Sequence, residues 1–258
     1  MVLRVEYDGP VARVTLARPD KLNALNDDVR RAFKAALDEL TERPDVRVLL
    51  LAGEGRSFSA GADVRTTSYP PVEGDWATRR HRTGTWQRIL MQLDEIPQAT
   101  VARLHGHVIG GAALLAAACD IRIAADDVVV RIAELALGIP LTWGGIPLLV
   151  REVGLPRTRD WVMTARRIDA DELVQSGFVQ RMVPAADLDA AVDECVGQLL
   201  AVPPGPLAMT RAMTSAIGRT HPAMVAGWGD PDVQQWTFSE DEYREAVRAY
   251  VKGVGRDR

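Results

Sequence analysis

The amino-acid sequence predicts an α/β fold. Short segments rich in valine, isoleucine and leucine, typical of buried strands, recur at residues 46–51, 100–104, 121–124 and 128–132. Segments with helical spacing lie between them, so strand–strand–helix units repeat loosely through the first two-thirds of the chain. Helical patterns dominate from residue 146 onward. With 258 residues, of which 47% are hydrophobic, the chain can bury a sizeable core.

The first elements are a hairpin and a helix. Residues 3–8 and 11–18 resemble two strands joined by a tight turn at Gly9-Pro10. Asn26 is a favourable N-cap residue, and the acidic pair at residues 27–28 suits the positive end of a helix dipole. Apolar residues then recur at helical spacing, so we expect one buried face. That face is predicted to comprise Val29, Phe33, Ala36, Leu37 and Leu40.

A turn of small residues, SFSAGAD at residues 57–63, follows the strand at 46–51. α/β proteins often bind ligands just beyond the C-terminal end of a strand. Residues 66–84, with Pro70-Pro71 and a basic cluster at 79–82, are the least regular segment. We expect part of this segment to form a mobile loop that leads into a helix through Leu93. A strand at 100–104 and a helix of small residues at 110–119 come next.

The remaining elements are predicted helices at residues 146–153, 157–164, 185–200, 206–217 and 239–252. The run Pro203-Pro204-Gly205-Pro206 is the best candidate boundary between domains. We therefore expect a core of repeated ββα units over residues 1–200 and a C-terminal helical region over residues 201–258.

Composition argues against several classes of protein. The net charge of −4 provides no basic footprint for nucleic acid. Cys119 and Cys195 lie outside any CxxC or CxxH pattern, so we expect reduced, buried thiols and no metal site. The N-terminus lacks the pattern of a signal peptide, and the longest apolar segment, residues 109–118, is too short to cross a bilayer. A cytoplasmic protein without a membrane partner is expected.

Four motifs occur in one order and at one spacing: RPDKLNAL (18–25), FSAGAD (58–63), HGHVIGGAALLAAACDIRIA (105–124) and AELALGI (133–139). Together they resemble the enoyl-CoA hydratase/isomerase, or crotonase, superfamily, and SEDEYREAVRAYVKG is similar to its closing segment. The resemblance covers essentially the whole chain. It implies a crotonase-like spiral of repeated ββα units, with a C-terminal helical region that forms a homotrimer, often as a hexameric dimer of trimers.

The resemblance also implies an acyl-CoA thioester substrate. The family's reactions share a thioester enolate whose oxyanion is held by two backbone N–H groups, matched here by Ala62 and Gly111. The chemistry agrees, because helix-start amides lack an intrahelical partner and preorganised donors stabilise developing negative charge. Coenzyme A arrives with the substrate, so no separate cofactor is implied. The segment that binds the adenine side of CoA is matched by Lys21, Leu22, Ala60 and Val64.

The carboxylates decide which reaction is expected. Typical hydratases of this family use two glutamates; the position of one is occupied by Leu114, and the other is matched by Glu134. A single base can move a double bond, and members that convert 3-enoyl to 2-enoyl thioesters commonly rely on one glutamate. Leu114 would also make the pocket drier and raise the pKa of Glu134. We expect an isomerase or lyase of fatty acid metabolism, with double-bond isomerisation favoured.

Several alternatives stay open at this point. Glu73 or Asp75 from the irregular segment would supply a second carboxylate for hydration. Thioester hydrolysis, decarboxylation and acyl-CoA binding without catalysis would use the same oxyanion site. Trp143 lies in GIPLTWGG (138–145), where the family usually has a glycine-rich turn, and its ring either lines the acyl pocket or packs as a core residue. The length of the acyl chain is not predicted.

Overall fold

The structure is a computed structural model that describes residues 1–64, 74–220, 227, 229–239 and 241–253. The strands are β1 (Leu3–Asp8), β2 (Val11–Leu16), β3 (Val48–Gly53), β4 (Ala99–Leu104), β5 (His107–Ile109), β6 (Ile121–Ala125), β7 (Val129–Arg131), β8 (Arg167–Ile168) and β9 (Arg181–Val183). The helices are α1 (Asp27–Thr41), α2 (Trp76–Thr83), α3 (Thr85–Glu95), α4 (Gly111–Ala117), α5 (Gly145–Thr164), α6 (Ala170–Gln175), α7 (Leu188–Ala201), α8 (Pro204–Arg219), α9 (Asp230–Ser239) and α10 (Asp241–Gly253).

The strands form two sheets. The larger sheet has the order β1-β2-β3-β4-β6-β9, in which only the β1–β2 pair is antiparallel. The smaller sheet has the order β5-β7-β8, with β5 and β7 parallel. Parallel pairing requires crossovers between strands and buries both faces, which explains why β3 is a nearly continuous apolar run. The C-terminal end of β3 leads into the turn of small residues at 57–63.

Two elements near the N-terminus confirm the local predictions. β1 and β2 form the expected hairpin. The Asn26 side chain accepts a hydrogen bond of 3.0 Å from the backbone N–H of Val29, so it caps α1 as predicted. The five apolar residues assigned to the inner face of α1 are all buried.

The basic cluster at residues 79–82 lies in α2, and α3 then runs past Leu93, so the predicted lead from this segment into a helix through Leu93 is confirmed. Asp75 accepts a hydrogen bond of 2.8 Å from the N–H of Thr78 and caps α2. α2 has no buried residue, and the ion pair of 3.1 Å between its Arg80 and Asp232 of α9 helps to hold it in place. Residues 65–73, including Glu73, lie outside the described residues.

The C-terminal helices fold back over the middle of the chain. α8 begins at Pro204, within the proline run, because proline is well suited to the first turn of a helix. Further on, Phe238 and Tyr243 pack with Leu137 and Ile139 in a small apolar cluster. This cluster holds α9 and α10 against a short 3₁₀ helix, Glu134–Leu137. No helix in the described part of the chain combines the length and apolar character needed to cross a membrane.

Candidate active site

A cavity of about 60 Å³ lies where the turn after β3, the start of α4 and the Glu134–Leu137 3₁₀ helix meet. α9 and α10 contribute to its wall through Gln234 and Tyr250. Seven residues predicted for the site lie on the wall of this cavity: Ala60, Ala62, Val64, Gly111, Leu114, Glu134 and Trp143.

Lys21 and Leu22 are not among the described residues of the cavity wall. Lys21 is exposed at the end of a short 3₁₀ helix, Pro19–Lys21. Leu22 is connected to the site through the backbone, because its carbonyl oxygen accepts a hydrogen bond of 2.8 Å from the N–H of Ala60. The structure therefore places the RPDKLNAL segment beside the cavity, with Lys21 directed to solvent.

Asn23 fixes the turn at residues 57–63 from inside. Its side-chain nitrogen donates hydrogen bonds of 2.8 Å to the carbonyl oxygens of Glu54 and Ser57, and its Oδ1 accepts one of 2.9 Å from the N–H of Arg18. The Asn23 carbonyl oxygen accepts a hydrogen bond from the hydroxyl of Ser59. Sequence reasoning missed this residue, although it lies in the first motif, and its φ of 54° favours asparagine.

Glycine is required where the turn approaches α4. Gly61 has a φ of 78°, and a Cβ on it would lie 2.3 Å from the carbonyl oxygen of Ile109 and 3.7 Å from the nitrogen of Gly111. Gly110, with a φ of 55°, lies against Glu134, since a Cβ there would be 2.6 Å from Oε1. Side chains at either position would push the turn, the helix start and the carboxylate apart.

Two backbone N–H groups face this junction without a partner. The N–H groups of Ala62 and Gly111 make no hydrogen bond within the described part of the chain, and both residues line the cavity. Gly111 is the first residue of α4, so its N–H lies at the positive end of the helix dipole. The pair can donate hydrogen bonds to an anionic oxygen in the cavity.

Glu134 is the acidic group of the cavity. Its Oε2 is out of contact with solvent and has no hydrogen-bond partner among the described residues. Burial raises the pKa of Glu134 to about 7, although backbone hydrogen bonds at Glu134 and Ala133 oppose the rise. A carboxyl group with this pKa exchanges protons readily near neutral pH.

Glu134 is the only carboxylate among the described residues that line the cavity. Leu114, which is 1% exposed, occupies the place expected for the second glutamate of a hydratase. Asp75 is exposed at the start of α2. Gln234 and Tyr250 are polar residues of the wall that sequence reasoning missed, because the amphipathic pattern of α10 does not reveal which element it covers.

Trp143 forms the part of the cavity wall that lies beside Gly111. Its ring is stacked on Trp86 with centroids 5.0 Å apart, and a Cβ on Gly111 would lie 2.2 Å from the ring. The φ of Trp143 is 63°, a conformation that costs roughly 1–3 kcal/mol in a bulky residue. Asp230 holds the following residue, since its Oδ2 accepts a hydrogen bond of 2.6 Å from the N–H of Gly144. Trp143 is thus both a packing residue and part of the wall.

The geometry defines a class of site: one buried carboxylate and two backbone N–H groups without partners among the described residues line one cavity of an α/β fold. The described residues contain no group of three or more His, Cys, Asp and Glu side chains placed to hold a metal ion. Residues 6–254 match the family model described as enoyl-CoA hydratase/isomerase. The chain belongs to this family, which confirms the resemblance and the crotonase-like fold predicted from the motifs.

Known proteins with related names are similar to this chain in sequence and in structure. The chain is 35% identical over 184 residues to a protein named probable enoyl-CoA hydratase echA8 of Mycobacterium bovis, covering 71% of this chain and 69% of that protein. It is 30% identical over 201 residues to 4-chlorobenzoyl coenzyme A dehalogenase-1 of Arthrobacter, covering 78% and 73%. The structure of an enoyl-CoA hydratase from Mycobacterium avium subsp. paratuberculosis K-10 matches with a TM-score of 0.85 at 25% identity, covering 96% and 98%.

Proposed function

We propose that the protein is an acyl-CoA enzyme that moves a carbon–carbon double bond, converting 3-enoyl to 2-enoyl thioesters. In this proposal the thioester oxygen lies against the N–H groups of Ala62 and Gly111. Glu134 is the single acid/base. Coenzyme A is carried by the substrate, and the protein needs no further cofactor.

The reaction needs one proton to leave one carbon and one to arrive at another. Glu134 removes a proton from C2 of the 3-enoyl thioester, and the electron pair moves onto the thioester oxygen to give a dienolate. The two backbone donors stabilise this oxygen without reorganising, because they are fixed by the fold. The protonated Glu134 then returns its proton at C4, the double bond forms between C2 and C3, and the thioester carbonyl is restored.

The observation that carries the proposal is the lone carboxylate. Among the described wall residues only Glu134 can accept and return a proton with a pKa of about 7, and Leu114 stands where hydration would require a second carboxylate. A buried group whose protonated and ionised forms are similarly populated near neutrality suits a proton shuttle.

Hydration is the second candidate, and it is favoured by the polar groups on α9 and α10. Gln234 is 6% exposed, and both Gln234 and Tyr250 line the cavity that contains Glu134. An amide and a phenol can hold and orient a water molecule, although neither replaces a carboxylate as a base. Hydration would therefore be the weaker activity.

An oligomer fits an exposed apolar stripe on α8. Met209, Met213 and Ile217 follow one another at intervals of four residues and are 66%, 65% and 71% exposed. Such a stripe on one helix face is typical of a surface that is covered by a partner. We propose a second copy of this chain as that partner, in a homotrimer or a dimer of trimers, within the cytoplasm.

The test compares purified protein on 3-enoyl-CoA and 2-enoyl-CoA substrates. We expect isomerisation to exceed hydration, and Glu134→Gln to lower isomerisation by about 10²-fold or more. Glu172→Gln is the matched control, because Glu172 pairs with Arg166 at 2.7 Å and does not line the cavity. Robust hydration that survives Glu134→Gln would contradict the proposal.

A further inference from the structure

Trp143 separates two cavities. The inner cavity of about 60 Å³ contains Glu134, and an outer cavity of about 230 Å³ lies between α3 and α5. Among the described wall residues, Trp143 alone lines both. The outer cavity is therefore nearly four times as large as the inner one, and Trp143 is a wall residue of both.

The outer cavity suits a hydrocarbon chain. Leu90, Met91, Pro147 and Leu148 provide much of its wall. The acidic group on that wall is neutralised, because Asp94 accepts a hydrogen bond of 2.9 Å from Arg151. An apolar occupant would thus meet side-chain carbons and a paired charge, which lowers the cost of entering the cavity.

The ring is held in place from several sides. It is stacked on Trp86 and lies against Gly111, whose N–H faces the inner cavity. The backbone of Trp143 has a left-handed conformation that a bulky residue rarely adopts and glycine adopts readily. Strained residues persist where the surrounding structure fixes them, and they concentrate at functional sites. The bulk of Trp143 at this position therefore calls for a function beyond filling space.

We propose that Trp143 is the specificity-determining residue that restricts the enzyme to short acyl chains by closing the inner cavity against the outer one. The inference rests on the proposed acyl-CoA substrate. A space of 60 Å³ admits only a few groups the size of a water molecule, enough for the first carbons of an acyl group but not for a long tail. Removal of the ring would join the cavities and give the tail of a longer chain an apolar place to bind.

The test measures binding as well as turnover. Calorimetry gives the affinity of wild type, Trp143→Phe and Trp143→Gly for butyryl-CoA and octanoyl-CoA, and kcat/KM is measured with enoyl-CoA substrates of the same lengths. Wild type and Trp143→Phe should prefer the four-carbon chain. Trp143→Gly, which also suits the left-handed backbone, should shift the preference toward eight carbons by about tenfold or more. Thermal unfolding checks that each variant is folded.

A plug variant shows where the tail lies. Met91 lines the outer cavity and is 50% exposed, so Met91→Trp can fill that cavity with little strain on the core. In the Trp143→Gly background it should abolish the gain for octanoyl-CoA and leave butyryl-CoA affinity unchanged. Equal preference in wild type and Trp143→Gly, or a gain that survives the plug, would overturn the inference and leave the proposed reaction standing. A wild type that binds neither thioester would instead overturn the proposed function and, with it, this inference.

Discussion

Replacing the acidic group of the cavity should stabilise the protein at alkaline pH. Burial raises the pKa of Glu134 in the folded state to about 7 from its ordinary value of 4.5. Between these two values the folded state binds more protons than the unfolded state, so the free energy of unfolding falls as the pH rises. Glu134→Gln removes this dependence, because glutamine does not titrate and keeps a similar shape.

The size of the effect follows from the shift. One pKa unit corresponds to about 1.4 kcal/mol, so a rise from 4.5 to about 7 costs the ionised folded protein about 3 kcal/mol at pH 8. Part of this cost is already present at pH 5. The stability of Glu134→Gln relative to wild type should therefore rise by about 2.5 kcal/mol between pH 5 and pH 8.

Urea denaturation at one fixed protein concentration measures this difference. Glu172→Gln is the matched control, for which we expect a change in stability of the opposite sign. The Glu172 carboxylate accepts hydrogen bonds of 2.7 Å from Arg166 and from Trp161. The hydrogen bond from Arg166 is the main reason why the pKa of Glu172 is lowered, so removal of this carboxylate should destabilise the protein at pH 8. An equal stability difference between Glu134→Gln and wild type at pH 5 and at pH 8 would show that Glu134 is not the desolvated carboxyl group that the structure describes.

Three further outcomes are expected. The kcat/KM of wild type should rise with pH, because Glu134 must be ionised to accept a proton. It should be about one-tenth of its maximum at pH 6 and half of it near pH 7. A flat profile from pH 5 to 8 would contradict this. Leu114→Glu should raise hydration relative to isomerisation by about tenfold or more, since it restores a second carboxylate, and an unchanged product ratio would refute it. Asn23→Ala should lower the free energy of unfolding, measured by chemical denaturation, by about 2–3 kcal/mol, because two buried carbonyl oxygens lose their donor. Asn26→Ala, which removes only the helix cap, should lower it by about 1 kcal/mol. Equal losses in the two variants would argue against a special role for Asn23.

The sequence was most informative where structure depends on neighbours along the chain. The hairpin, the Asn26 cap and the buried face of α1 follow from alternation, side-chain chemistry and helical spacing. A helix through Leu93 was predicted, but the separate helix α2 was not, because only the structure shows that Asp75 caps a helix that starts at Trp76. The long-range order of the motifs brought Ala62, Gly111 and Glu134 together before any distance was known.

What the sequence did not show depends on tertiary contacts. Gln234 reaches the cavity only because Phe238 and Tyr243 dock on the 3₁₀ helix that carries Glu134. Likewise, only the structure shows that the Trp143 ring packs on Trp86 and that the same residue lines two cavities. Neither arrangement leaves a signal in local composition or periodicity.

The side chain at position 114 influences the pKa of Glu134, because both residues line the same cavity. A second ionised carboxylate at position 114 would sit in the same small cavity, and like charges there would hold one group protonated across the neutral range. With leucine in that place, desolvation is the largest influence on the pKa of Glu134 and, against the opposing backbone hydrogen bonds, raises it to about 7. A glutamate of ordinary pKa would be ionised but a poor proton donor, whereas one raised much further would seldom be a base. In the proposed reaction, the leucine therefore does more than leave out a second carboxylate, because it leaves Glu134 able both to take and to return a proton.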